Sequence, residues 1–169
     1  MQKRFLVSLM AAIAAQVSAA EMEVKVDIPR LAVAEYHRPY VAIWIEDAQG
    51  HVADLSVWYD LKMRDREGEK WLKDMRQWWR RSGRALALPV DGLSSATRPV
   101  GQHSLHFDQE HPALKTLGPG DYQLLVEAAR EVGGRELLRL PFTWPVTERQ
   151  THQQNGTSEL ARITLTLTP

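Results

Sequence analysis

The chain has no cysteine. That excludes disulfides, thiolate zinc sites, cysteine-ligated iron–sulfur clusters and thioether-bound haem. It also has no surplus of charge of either sign, with 21 Lys and Arg against 21 Asp and Glu. The strong basic excess of a nucleic-acid binder is therefore missing. No apolar run reaches the roughly 20 residues of a membrane span. Several enzyme signatures are absent as well: there is no metalloprotease helix motif, no nucleophile elbow and no glycine-rich phosphate loop. The acidic residues are scattered, and no pair stands out as a general acid/base couple. What is present is 169 residues with 44% apolar side chains and six tryptophans. That length and composition suit one domain with a real core.

The N-terminus reads as a leader. Lys3 and Arg4 precede an apolar stretch over 5–17 broken only by Ser8 and Gln16, and small residues follow over 18–20. A basic start, a short apolar run and a small-residue exit are the parts of a secretory signal peptide. Residues 1–20 are expected to be removed on export, leaving a single periplasmic domain over 21–169 with no membrane span. Losing Lys3 and Arg4 leaves 19 basic groups against 21 acidic ones, a net charge of −2.

Strand signals dominate the remainder. Met22, Val24, Val26 and Ile28 alternate with polar residues up to Pro29, the pattern of a half-buried strand. A second strand over 40–45, a turn over 46–50 and a partner over 52–59 read as a hairpin, with Leu55, Val57 and Tyr59 assigned to one face. Further strands are expected over 102–107, 122–129, 136–144 and 160–168. The polar stretch 147–158 reads as a long loop. Between the two halves the period changes: Trp71, Leu72, Met75, Trp78 and Trp79 fall at i, i+1, i+4, i+7 and i+8. This is one stripe of an amphipathic helix over about 69–82, with Gly83 as its C-cap. A tryptophan-rich stripe of this kind is chiefly core. Pro119-Gly120-Asp121-Tyr122 resembles the hairpin of many bacterial immunoglobulin-like modules, a likeness of fold without function. About seven short strands with one inserted helix predict a mainly β protein, an antiparallel immunoglobulin-like β-sandwich.

One segment carries chemistry: Val90-Asp91-Gly92-Leu93-Ser94-Ser95-Ala96-Thr97-Arg98-Pro99. Physically it is a tight polar loop in which Asp91-Gly92 is a turn pair, three hydroxyls follow, and Pro99 ends the run. An ordinary Asp-Gly turn with incidental hydroxyls has the same composition. The residues also resemble Asp-Gly-x-Ser-Gly-Ala-Thr, the pattern by which FMN-binding domains of bacterial redox pumps are flavinylated. In those domains a periplasmic flavin transferase uses FAD and joins FMN through its phosphate to the threonine hydroxyl. Asp91, Gly92, Ser94, Ala96 and Thr97 match. Ser95 stands where the pattern has glycine, which raises the question of a backbone angle that only glycine takes easily. Arg98-Pro99 replaces a small or hydroxyl-bearing tail. The resemblance implies FMN on Thr97, with Asp91 orienting the loop or activating the hydroxyl and Arg98 pairing with the linking phosphate.

A wider resemblance covers most of the chain beyond the leader. Ala34-Glu-Tyr36-His-Arg-Pro39-Tyr-Val-Ala-Ile-Trp44, Lys70-Trp71-Leu-Lys-Asp-Met-Arg-Gln-Trp78-Trp79, the Asp91 loop, Glu127-Ala-Ala-Arg130-Glu and Glu136-Leu-Leu-Arg-Leu-Pro141-Phe are similar to the DUF2271 family of exported bacterial proteins. Members carry the same loop in the same place and tend to occur beside flavin transferases and PepSY-type membrane proteins. The resemblance implies a non-enzymatic carrier that relays electrons with a membrane redox partner, the flavin supplying the chemistry. The residues leave open an alternative, an immunoglobulin-like accessory module of a redox or metal-uptake system without cofactor. Tyr36, Trp44, Trp78 and Trp79 are the candidates to stack on an isoalloxazine ring. The basic residues Lys70, Lys73, Arg76, Arg80 and Arg81 read as a solvated face, or as a dock for the flavin phosphate or an acidic partner. No metal site is expected, because His103-x-x-His106 falls on opposite faces of a strand.

Overall fold

The computed structural model describes residues 20–169; the leader assigned to 1–20 thus lies, but for Ala20, outside the described residues. Among the described residues nine strands form two sheets. They are β1 (Glu21–Ile28), β2 (Tyr40–Asp47), β3 (Gly50–Tyr59), β4 (Ser94–Ala96), β5 (Gly101–Phe107), β6 (Gly120–Ala129), β7 (Arg135–Trp144), β8 (Gln150–Asn155) and β9 (Arg162–Thr168). One sheet runs in the order β5-β1-β9-β8 and the other β4-β3-β2-β6-β7. Pairing is antiparallel except between β3 and β4. β1 pairs with β9, so the first and last strands are neighbours, a connection that the ABED/CFG order of an immunoglobulin domain does not make.

The alternation in β1 buries Met22, Val24, Val26 and Ile28 against the second sheet, where Ile43, Leu55, Val126 and Leu140 join the same cluster. β2 and β6 are apolar on both faces because the five-stranded sheet is covered twice. Its outer face, carrying Trp44, Val57, Tyr59 and Leu125, packs against Leu72, Met75 and Trp78 of the segment that follows β3. The β2–β3 register shifts between Ile43 and Trp44, opposite Asp54 and Ser56. This bulge turns Leu55 to the inter-sheet core while Val57 and Tyr59 face outward, so the three do not share a face as expected.

The expected helix over 69–82 is replaced by a broken arm. A 3-10 segment (Arg64–Asp74) leads to α1 (Arg76–Arg81) and a short turn (Gly83–Ala85). Continuity fails at Met75, whose ψ is 72°, and Trp71 is left 42% exposed, off the buried stripe. The polar stretch 147–158 contains β8, which pairs with β9 along its whole length. A short helix, α2 (Pro112–Lys115), completes the chain, with His111 Nδ1 accepting the Ala113 N–H at its start. No helix among the described residues is long and apolar enough to cross a membrane.

Candidate functional site

The Asp91 loop is less of a loop than its composition suggests. Gly92 takes φ +75°, where an L side chain is strained, and the turn closes through Leu93 and Ser94 N–H groups donating to the Val90 carbonyl. Ser94 Oγ accepts the Val90 N–H at 3.0 Å, locking the turn from the other side. Residues 94–96 then run as an edge strand parallel to β3, Ala96 opposite Tyr59, and the Thr97 N–H donates to the Tyr59 carbonyl at 3.2 Å. Ser95 lies within that strand and keeps a negative φ. The position therefore needs no glycine angle; its hydroxyl is buried without a partner. Asp91 is exposed, and its carboxylate makes no hydrogen bond or ion pair among the described residues.

Thr97 lines a cavity of about 460 Å³ bounded by the 36–40 segment, the 60–63 loop, Trp71 and Asp74 of the arm, Ala96, and residues 129–131. Its hydroxyl makes no hydrogen bond among the described residues and is not buried. Six large apolar side chains stand exposed on the described chain, and four of them, Tyr36, Leu61, Met63 and Trp71, line this one cavity. Such grouping makes this cavity the candidate binding site. Tyr40 also lines it; burial, and secondarily the nearby carboxylates of Asp60 and Glu131, raise its phenol pKa, although the Asp60 backbone partly offsets this. His37 is set by Glu35 at 2.9 Å and Glu131 at 3.6 Å. Arg38 and Lys62 line the cavity without a carboxylate partner among the described residues.

Arg98, the residue expected to pair with the linking phosphate, is placed apart from Thr97's cavity. Its guanidinium lies over the Trp58 ring, 4.3 Å from the centroid, and it is not part of the cavity lining. Partial burial there lowers its pKa. Trp44 and Trp78 are fully buried and cannot stack on a ligand; Trp79 is half-buried against the outer core. Of the expected aromatic candidates only Tyr36 reaches the cavity. Trp71, Arg38, Lys62, Leu61 and Met63 escaped the sequence reading, since a helical stripe had assigned Trp71 to the core and loop residues carry no periodicity.

The arm that forms one wall is fixed from below by two carboxylates. Glu127 of β6, wholly buried, accepts the Gln77 N–H at 3.1 Å, the Trp78 N–H at 2.8 Å and Arg135 Nη1 at 2.7 Å. The two N–H groups are orphan backbone donors of the first turn of α1. Asp54 of β3 accepts Trp78 Nε1 at 2.9 Å and the Ser82 hydroxyl, with His51 Nε2 at 3.1 Å. Burial would raise the Asp54 pKa, but the close approach of His51 and the bonds from Ser82 and Trp78 outweigh it and hold it below the ordinary value. Gly68 sits on the Asp60 carbonyl so closely that a Cβ would lie 2.1 Å from the oxygen.

A protein-family model described as a predicted periplasmic protein, DUF2271, matches residues 21–162. The chain belongs to the DUF2271 family. Comparison with curated proteins and with solved structures found no match. Membership places this DUF2271 chain among predicted periplasmic proteins and assigns no activity to the cavity. The Asp91 loop and the 36–40, arm and 127–131 segments all fall within the matched span and converge on the cavity and its walls.

Proposed function

We propose that this DUF2271 protein is an exported carrier of FMN, held through its phosphate on Thr97 and exchanging electrons with a membrane redox partner. The observation that carries the reading is the position of Thr97: an unbonded, accessible hydroxyl on the wall of the cavity where the exposed aromatic and apolar side chains gather. In the loading step Thr97 Oγ1 attacks the flavin-side phosphorus of FAD, the pyrophosphate bond breaks, AMP leaves, and the hydroxyl proton passes to solvent or the transferase. The bound flavin supplies the redox chemistry. The chain's residues position it: Tyr36 and Trp71 offer faces for a planar ring, Arg38 and Lys62, unpaired among the described residues, are the cations for the phosphate in place of Arg98, and Gly92 with Ser94 holds the loop.

The test is co-expression with a flavin transferase, followed by intact mass and in-gel flavin fluorescence. A gain of one FMN moiety that Thr97→Ala abolishes and Thr97→Ser retains supports the reading. No gain, or a gain that survives Thr97→Ala, overturns it in favour of a cofactor-free accessory module.

A further inference from the structure

Charge is distributed very unevenly along this formally neutral chain. Residues 62–84 hold nine Lys and Arg against four Asp and Glu, leaving 12 basic and 17 acidic residues elsewhere. All nine cations are exposed, since Leu72, Met75 and Trp78 turn the apolar side of the arm down onto the sheet. Among the described residues only Arg66, Lys70 and Arg81 stand within ion-pair distance of a carboxylate, two of them with acids of the arm itself. The same stretch and its approach carry Leu61, Met63 and Trp71, each about two-fifths exposed.

We infer that the arm is a docking surface for an anionic lipid membrane. The order of the residues favours lipid over an acidic protein. Exposed apolar and basic residues are interleaved, Leu61-Lys62-Met63-Arg64 and Trp71 between Lys70 and Lys73, whereas a protein interface segregates an apolar centre from a charged rim. Interleaving suits an interface in which Trp, Leu and Met enter the headgroup boundary while flexible cations reach the phosphates. Each Lys or Arg held near such a surface raises partitioning about fivefold.

The experiment is co-sedimentation of the protein, purified from the periplasm without flavin, with vesicles of phosphatidylcholine alone or mixed with phosphatidylglycerol. Binding to the anionic vesicles only, lost in high salt, is expected, and the triple variant K73E/R76E/R84E should weaken it by about 100-fold or more. Those three residues lie outside the cavity lining, so the variant still takes flavin on co-expression if Thr97 is the acceptor. A far-ultraviolet spectrum matching the unaltered protein confirms that the variant folds. Absence of binding to anionic vesicles at low salt, or binding that the charge reversal leaves intact, overturns the inference; capture of an acidic protein without vesicle binding does so too. The mass assay for flavin reads the other proposal separately.

Discussion

Glu127→Ala tests whether the arm is held by its buried carboxylate or merely laid on the sheet. Glu127 accepts two backbone N–H groups at the start of α1, and one of them, from Trp78, is buried. Hydrogen bonds to a charged acceptor contribute about 1.5–3 kcal/mol each. The Arg135 side chain is 40% exposed, so its pairing adds only about 0–1 kcal/mol. Truncation also relieves the desolvation of the carboxylate, which sets the net loss at about 2–4 kcal/mol. For a domain of this size that lowers Tm by about 5–15 °C. Equilibrium urea unfolding followed by tryptophan fluorescence reads it, and Glu127→Gln, which keeps one acceptor oxygen, should lose about half as much. A loss below about 1 kcal/mol in the alanine variant would refute the clamp, because two charge-assisted bonds, one of them buried, do not vanish so cheaply.

Asp54 gives the second clamp a pH signature. Its folded pKa is depressed, so its contribution is complete above the unfolded value of 3.8 and is lost as pH falls through the folded pKa. Thermal melts of the native protein should therefore fall more steeply with acidification below that value than those of Asp54→Asn; parallel curves would contradict the assignment. Ser95→Gly restores the missing glycine of the flavinylation pattern, yet Ser95 already has an ordinary backbone angle. Its loading rate by the transferase should match that of the unaltered chain, and a large gain would show that the loop needs a conformation absent here.

Strands β1, β2, β3, β5, β6, β7 and β9 were legible because each turns at least one face to the core, and burial writes its period into the sequence. β8 was not: Gln150-Thr-His-Gln-Gln-Asn borders the sheet with no apolar face to reveal the alternation. The broken arm was hidden for a different reason. Trp71, Leu72, Met75 and Trp78 have helical spacing, but Glu127 and Asp54 set where the α-helical part begins and what it bonds to, and those partners lie about 50 and 24 residues away. Thr97 was singled out by motif alone. Its cavity was not foreseeable, since Tyr36, Lys62 and Trp71 meet only after the arm folds back over β3. Arg98 shows the converse: adjacency in sequence to Thr97 did not put it on the same side of the edge strand.

The pairing of β1 with β9 bears on the order in which the molecule can assemble. β1 is flanked by β5 and β9, so a chain emerging N-terminus first holds its first strand without either neighbour until much later segments arrive. The sheet β2-β3-β6-β7 can form from nearer contacts, but the four-stranded sheet closes only when Glu21 meets Thr168. Such distant contacts slow folding, so the pairing of β1 with β9 is expected to be among the last to form.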